Sequence, residues 1–129
     1  MPLQIIDGPI IAAGESLSDA VDCTAGDVVR ITMPADWTAA QLTFEVSSDG
    51  QFFNPLYYHD GSEVVFEVIP GSAVLIPSNI TSALAHLKFR SGTRDHPKPQ
   101  PSGRLFAIAI DVREVAGGNS PALPIRLVT

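Results

Sequence analysis

Three histidines, one cysteine and two Asp-Gly pairs are the residues of this chain with the most obvious chemical potential. His59, His86 and His96 stand apart, at no spacing that brings imidazoles together on one metal ion. Cys23 has no neighbouring His or Cys, which points to a buried structural thiol and away from a zinc ligand or nucleophile. Asp49 and Asp60 each precede a glycine; turn chemistry explains both, and a calcium site needs more oxygen ligands than these loops supply. Arg94-Asp95-His96 sets an acid beside a base, yet no serine-nucleophile motif, carboxylate pair or glycine-rich phosphate loop accompanies it. A solvated loop is the better reading. Asn79-Ile80-Thr81 has the form of a glycosylation acceptor, without a secretory leader to support its use. The expectation is a protein without catalytic residues, metal site or cofactor, and not an enzyme.

The aromatic residues say more. Trp37, Phe44, Phe52, Phe53, Tyr57 and Tyr58 fall within one 22-residue stretch. Successive strand residues point to opposite faces, so Phe52-Phe53 and Tyr57-Tyr58 should each send one ring to the core and one elsewhere. Rings that serve the core and rings that dock a partner are both consistent with this pattern. For docking, Trp37, Phe52, Tyr57 and Tyr58 are the candidates, because large rigid rings suit interfaces. Ile125 and Leu127, in an apolar C-terminal stretch, join them as candidate partner-binding residues.

These residues must be held by short alternating runs broken by Gly, Pro and Asp. Val29, Ile31 and Met33 share a face, as do Leu42, Phe44 and Val46, the period-2 mark of half-buried strands. Pro34-Ala35-Asp36 ends the first run, and Asp36 is placed to cap a single helical turn through Ala40. Asp49-Gly50 and Asp60-Gly61 then punctuate a three-stranded antiparallel meander from Leu42 to Val68, with Pro55 marking a bulge or an edge. Ala73–Ile76 and His86–Arg90 add further strands, Leu87 and Phe89 facing inward. Ser78 to Ala85 reads as a loop or as a short helix capped by Ser78. Ser91 to Gly103, with Pro97, Pro99 and Pro101 at every second position, reads as an extended polar loop. Leu105–Val112 is nearly continuous apolar sequence and should be a central strand covered on both faces. The sum is an all-β chain of roughly eight strands, an antiparallel β-sandwich or jelly roll. Residues 1–12 form an extended N-terminal arm in this reading, 13–114 the sandwich, and 115–129 a C-terminal strand or arm that pairs in cis or adds to a neighbour after the Gly117-Gly118 hinge.

Composition agrees. The chain has 129 residues, 45% of them hydrophobic and 17% charged, enough apolar surface for one folded domain. A net charge of −6 repels phosphate backbones, so no nucleic-acid partner is expected. No apolar run approaches the ~20 residues that span a bilayer, and no membrane partner is expected either.

The block Trp37-Thr38-Ala39-Ala40, Leu42-Thr43-Phe44, Ser47-Ser48-Asp49-Gly50, Phe53 and Leu56-Tyr57 resembles small structural proteins of tailed phages and prophages, as does Leu87-Lys88-Phe89-Arg90-Ser91-Gly92-Thr93. The resemblance covers roughly residues 13 to 113 and rests on packing and turn elements. It implies a virion β-sandwich that decorates or cements a capsid, or serves as a fibre-base or tail component. It further implies assembly in the bacterial cytoplasm, a place on the capsid surface, the major capsid protein or other virion proteins as partners, and a homo-oligomer, a trimer being favoured. A carbohydrate-binding module with exposed aromatic rings, or a tail or baseplate component, is the alternative, and a cupin-like enzyme fits least.

Overall fold

The computed structural model describes residues 2–81 and 84–112. Its elements are β1 (Leu3–Ile11), β2 (Val21–Asp22), β3 (Gly26–Thr32), β4 (Leu42–Ser47), β5 (Asn54–Pro55), β6 (Ala73–Leu75), α1 (Ser78–Thr81), β7 (His86–Ser91) and β8 (Arg104–Val112). Two antiparallel four-stranded sheets result, in the orders β1-β8-β3-β6 and β2-β7-β4-β5. The all-β sandwich read from the sequence is the observed architecture.

The alternating residues close the space between the sheets. From β8, Phe106, Ile108 and Ile110 point inward; from β3, Val28 and Ile31; from β7, Leu87 and Phe89; from β4, Leu42 and Phe44. A line of edge-to-face rings crosses this core, Trp37–Phe106–Phe89–Phe44–Phe66, with successive centroids 5.5, 4.8, 5.5 and 4.9 Å apart. Such contacts add to the burial of the rings themselves.

Several expectations change. Residues 1–12 are not an arm outside the sandwich: β1 pairs with β8 from Leu3↔Asp111 to Ile11↔Arg104, and Ile11 is fully buried. The open side of β1 is partly blunted at Ile10, whose N–H donates to Asp19 Oδ1 while its carbonyl accepts from Asp19 N–H. Asp36 caps no helical turn. Pro34–Trp37 is a β-turn closed by Trp37 N–H to the Pro34 carbonyl, and the Asp36 carboxylate reaches Arg104 instead. That turn drives Trp37 inward, where it is 4% exposed and donates from Nε1 to the Ala40 carbonyl. Trp37 is therefore a core residue and not a docking ring. At α1 the first carbonyl to accept is that of Pro77, so Pro77 and not Ser78 stands at the cap position.

The Leu42–Val68 meander is also corrected. Only Asn54–Pro55 pair as a strand, on the sheet edge where a proline costs least. Leu56 N–H donates to the Phe44 carbonyl; the chain then leaves the sheet through the Asp60-Gly61 turn and returns to exchange both backbone bonds between Phe66 and Leu42. This excursion is an irregular hairpin: Tyr57 bridges Glu63, Tyr58 N–H donates to the Ser62 carbonyl and Val64 N–H to the Leu56 carbonyl, so the third run of the meander lies beside the second through single bridges and not as a continuous strand.

β8 is central in its sheet, between β1 and β3, and of Leu105–Val112 only Leu105 is exposed; Ala109, on the face away from the core, is buried as well. Leu105 is 54% exposed, and Leu3, Ile5 and Ile10 on the adjoining β1 are exposed with it.

The Pro-rich loop holds the largest surprise. Its tip, residues 94–99, is exposed as expected, but Gln100 is fully buried. Its Oε1 accepts from Thr38 N–H and Arg104 Nε, at 3.0 and 2.9 Å, and its Nε2 donates to the Thr38 carbonyl and Ser91 Oγ, at 3.0 and 2.9 Å. Its backbone bonds to Gly14 and Glu15. Arg104, itself buried, completes the network through Asp36 and the Thr38 hydroxyl. Gly92 begins this loop at φ +92°, and a Cβ there would lie 2.5 Å from the His96 carbonyl oxygen, so only glycine fits the bend.

Replacing Gln100 with Leu roughly keeps the volume and takes the amide partner from Arg104 Nε, the Thr38 N–H and carbonyl, and Ser91 Oγ. The expected cost is on the order of 3 kcal/mol, read as a lower midpoint in urea or guanidinium unfolding. A midpoint unchanged from the parent would show that the network contributes nothing to stability.

Candidate functional site

Exposed aromatic rings gather along the β5 edge, and the turns that carry them are tightly specified. At the β4–β5 tip, Asp49 Oδ1 accepts from Gln51 N–H, Phe52 N–H and Ser47 Oγ, and Ser47 Oγ accepts from Gly50 N–H. These bonds, the backbone ones foremost, hold the Asp49 carboxyl down at about 2. The tip keeps its anionic cap through any ordinary pH. Gly50 supplies φ +80° at the turn. The product is a fixed loop that presents Phe52 with 76% of its surface in solvent.

On the far side of β5 stand Tyr57 and Tyr58, 38% and 39% exposed. The Asp60-Gly61 turn beneath them is closed by Ser62, whose N–H and hydroxyl both donate to Asp60 Oδ1, lowering the Asp60 pKa. Tyr57 bonds Arg94, and this bond is the main reason that the Arg94 guanidinium holds its proton still more firmly. Arg94 N–H in turn donates to the Glu63 carboxylate at 3.0 Å. Behind them lies Arg90 on β7, buried, bonded to Glu45 and 3.7 Å from Glu63. The excursion carrying the tyrosines is thus pinned to the sheet by charge.

Neither aromatic pair sends a ring to the core. Phe53 lies half-buried under the Lys88 ammonium, 4.5 Å from its ring centroid. Leu56 takes the inward position instead. The rule of opposite faces needs strand geometry, and only residues 54–55 between the pairs have it.

Two shallow clefts flank Tyr58. One of about 320 Å³ is lined by Leu56, Tyr57, Tyr58, His59, Asn79 and Ile80. The other, about 340 Å³, lies between Tyr58, Phe66, Glu67, Val74, Leu75 and Pro77. A third, about 320 Å³, opens beside Phe52 and Asp49. The structure therefore brings Phe52, Tyr57 and Tyr58 to one edge and removes Trp37 from it; Ile125 and Leu127 lie outside the described residues.

No family model, curated protein or solved structure matches the chain.

The remaining chemical candidates are scattered. His59 borders a Tyr58 cleft, His86 underlies the Gly50 tip, and His96 is exposed in the 93–96 turn. Among the described residues no three His, Cys, Asp or Glu side chains gather as a metal-binding group. Arg94 and Asp95 sit in that same exposed turn, and Arg94 serves Tyr57 and Glu63. Cys23 is fully buried, and burial, followed by the Asp22 charge, pushes its thiol up to about 12.

A neutral, enclosed thiol is a poor nucleophile. Native Cys23 is expected to resist a disulfide reagent at about pH 8 and to react fully once the chain is unfolded. Because the unfolded thiol ionises near 9.0 and the folded one near 12, its contribution to stability is complete below about 9 and fades as pH rises towards 12. Rapid labelling of the folded protein would contradict the burial.

Proposed function

We propose that the chain is a non-enzymatic structural piece of a tailed-phage particle. It decorates or cements the capsid by docking its aromatic edge on the major capsid protein or another virion protein. Its place is the capsid surface, reached by assembly in the bacterial cytoplasm. The observation that carries this reading is the row Phe52, Tyr57 and Tyr58, exposed along one sheet edge on turns fixed by Asp49, Asp60 and Arg94. Exposed rings on rigid turns lose little conformational freedom when covered, which suits an anchor in a protein interface. The sequence resemblance to phage structural proteins supplies the context.

A carbohydrate-binding role is the second reading, favoured by one feature. Tyr57 and Tyr58 share their cleft with His59 and Asn79, so ring faces and hydrogen-bonding groups stand together.

Quantitative mass spectrometry of purified particles tests the first reading. Hundreds of copies per particle are expected on a capsid, tens or fewer in a tail or baseplate, and absence from the particle overturns the proposal. Phe52→Ala and Tyr58→Ala should each reduce incorporation about tenfold, with the melting temperature nearly unchanged. The second reading requires NMR shifts at Tyr57, Tyr58, His59 and Asn79 on titration with neutral oligosaccharides to about 10 mM; no shifts at that concentration remove it.

A further inference from the structure

β1 is the outermost strand of its sheet, and part of its backbone has no neighbouring strand. Val112 N–H donates to the carbonyl of Pro2, directly opposite, which marks the even residues of β1 as those bonded to β8. The N–H and C=O of Leu3, Ile5 and Asp7 therefore point away from β8. Farther along, Asp19 takes both backbone groups of Ile10. Among the described residues nothing takes those of Leu3, Ile5 and Asp7. Leu3 and Ile5 are also 55% exposed. An open apolar edge of this kind is a template for one more strand.

What covers it follows from where the chain goes next. β8 ends at Val112, beside Pro2 and the start of this edge, and residues 113–129 follow in sequence. Within them Leu123-Pro124-Ile125-Arg126-Leu127 alternates apolar residues with a proline and a cation. Passing from the end of β8 to the far side of β1 crosses two strand spacings, about 10 Å. Residues 113–120 reach about 27 Å when extended, and Gly117-Gly118 lies among them. A segment laid along the edge from that end runs parallel to β1.

Direction and pleat then decide where each side chain goes. In a parallel pair an edge residue bonds to the two residues that flank the one opposite it. Leu3, Ile5 and Asp7 carry their side chains on the outer face, opposite Ile6, so the residues that bond them carry theirs on the core face. With Arg126 opposite Asp7, those residues are Leu123, Ile125 and Leu127. Pro124, opposite Ile5, turns its nitrogen to the solvent edge, where a strand tolerates proline. Ile125 comes beside half-buried Ile6, and Leu127 beside Gly8, where a Cβ would meet nothing within 4 Å. Arg126 comes beside Asp7, the one charged residue of β1, and is itself the one charged side chain after Glu114. An antiparallel strand across Leu3–Asp7 would instead put Pro124 in the ladder or send Arg126 to the core.

We propose that residues 121–127 pair in cis with the open edge of β1, as a parallel fifth strand of this sheet that sets Arg126 against Asp7. The inference goes beyond the docking of the aromatic edge and does not depend on it.

NMR of the full-length chain is the test. The Ile5 and Asp7 amides should exchange with solvent at least about tenfold more slowly than unbonded amides, and Ile125 methyls should show NOEs to Ile6. Ile125→Pro removes the N–H given to the Ile5 carbonyl and should abolish that protection. Ala122→Pro, whose nitrogen faces solvent, should leave it within about threefold of the parent. Asp7→Lys and Arg126→Glu should each weaken the protection about threefold or more, and the double charge swap should restore it. Circular dichroism melting separates loss of folding from loss of pairing, and the parent's exchange and NOEs decide the matter if a variant unfolds. Freely exchanging Ile5 and Asp7 amides overturn the proposal, as do NOEs that place Ile125 against Leu105, or two prolines of equal effect. Protection that rises with concentration alongside a dimer in sedimentation velocity would put the segment of a second copy on the edge and overturn it too.

Discussion

The amide of Gln100 is the junction on which the arrangement of loops depends. Three segments distant in sequence, 12–16, 34–41 and 91–103, meet where β8 begins, and each would expose polar backbone to a dry interior if it met the others without a partner. Gln100 offers two donors and a two-lone-pair acceptor in one plane, and all are used. Arg104 brings a charge into this interior, which costs several kcal/mol unless it is paired and bonded. Asp36 supplies the countercharge while its own side chain remains 68% exposed, so the carboxylate keeps much of its hydration. One neutral amide and one half-solvated ion pair thus replace a fully buried salt bridge.

Arg90 plays a corresponding part in the other sheet. It sits on β7 under the excursion from β5 and bonds Glu45 within its own sheet, with Glu63 of the excursion nearby. Its Nη1 has no hydrogen-bond partner. That leaves the contact with Glu63 as a charge attraction across 3.7 Å, reinforced because Glu63 also accepts from Arg94 N–H. The tyrosines are therefore displayed on a segment with few strand hydrogen bonds but with electrostatic ties to the sheet below. Such a segment can present side chains without belonging to the regular lattice of the sandwich.

What was legible in the sequence follows from the range of the interactions involved. Alternation in Leu42–Val46 and Leu87–Phe89 reports burial of one face against water, a local pattern, and it located β4 and β7; in β3 it placed Ile31 and Met33 inward, while a bulge at Val29 puts Val28 on the core in its stead. Asp-Gly pairs report backbone conformation, also local, and the positive φ at Gly50 and Gly61 agrees. The burial of Trp37 depends on Phe106, and that of Gln100 on Thr38, Ser91 and Arg104; no spacing within either residue's own neighbourhood encodes those meetings. The aromatic edge was half legible: Phe52, Tyr57 and Tyr58 could be named, but their shared side of the sandwich required the fold, and the Arg94 tie to Tyr57 had no sequence signal at all.

β8 was legible for an equally local reason: it is central, and of Leu105–Val112 only Leu105 is exposed. A nearly continuous apolar run says that both faces of a strand avoid water, and it does not say that one chain must supply both covers. The inward face is closed by the chain itself. The outward positions are Leu105, Ala107, Ala109 and Asp111, where a strand facing only solvent ordinarily carries polar or β-branched side chains that tolerate water and favour the pleat. Alanine does neither; its merit on a sheet is that it lets another surface come close. On this outer face Ala109 is already shut off from solvent, while Leu105 at the start of the strand and Leu3, Ile5 and Ile10 on β1 remain exposed.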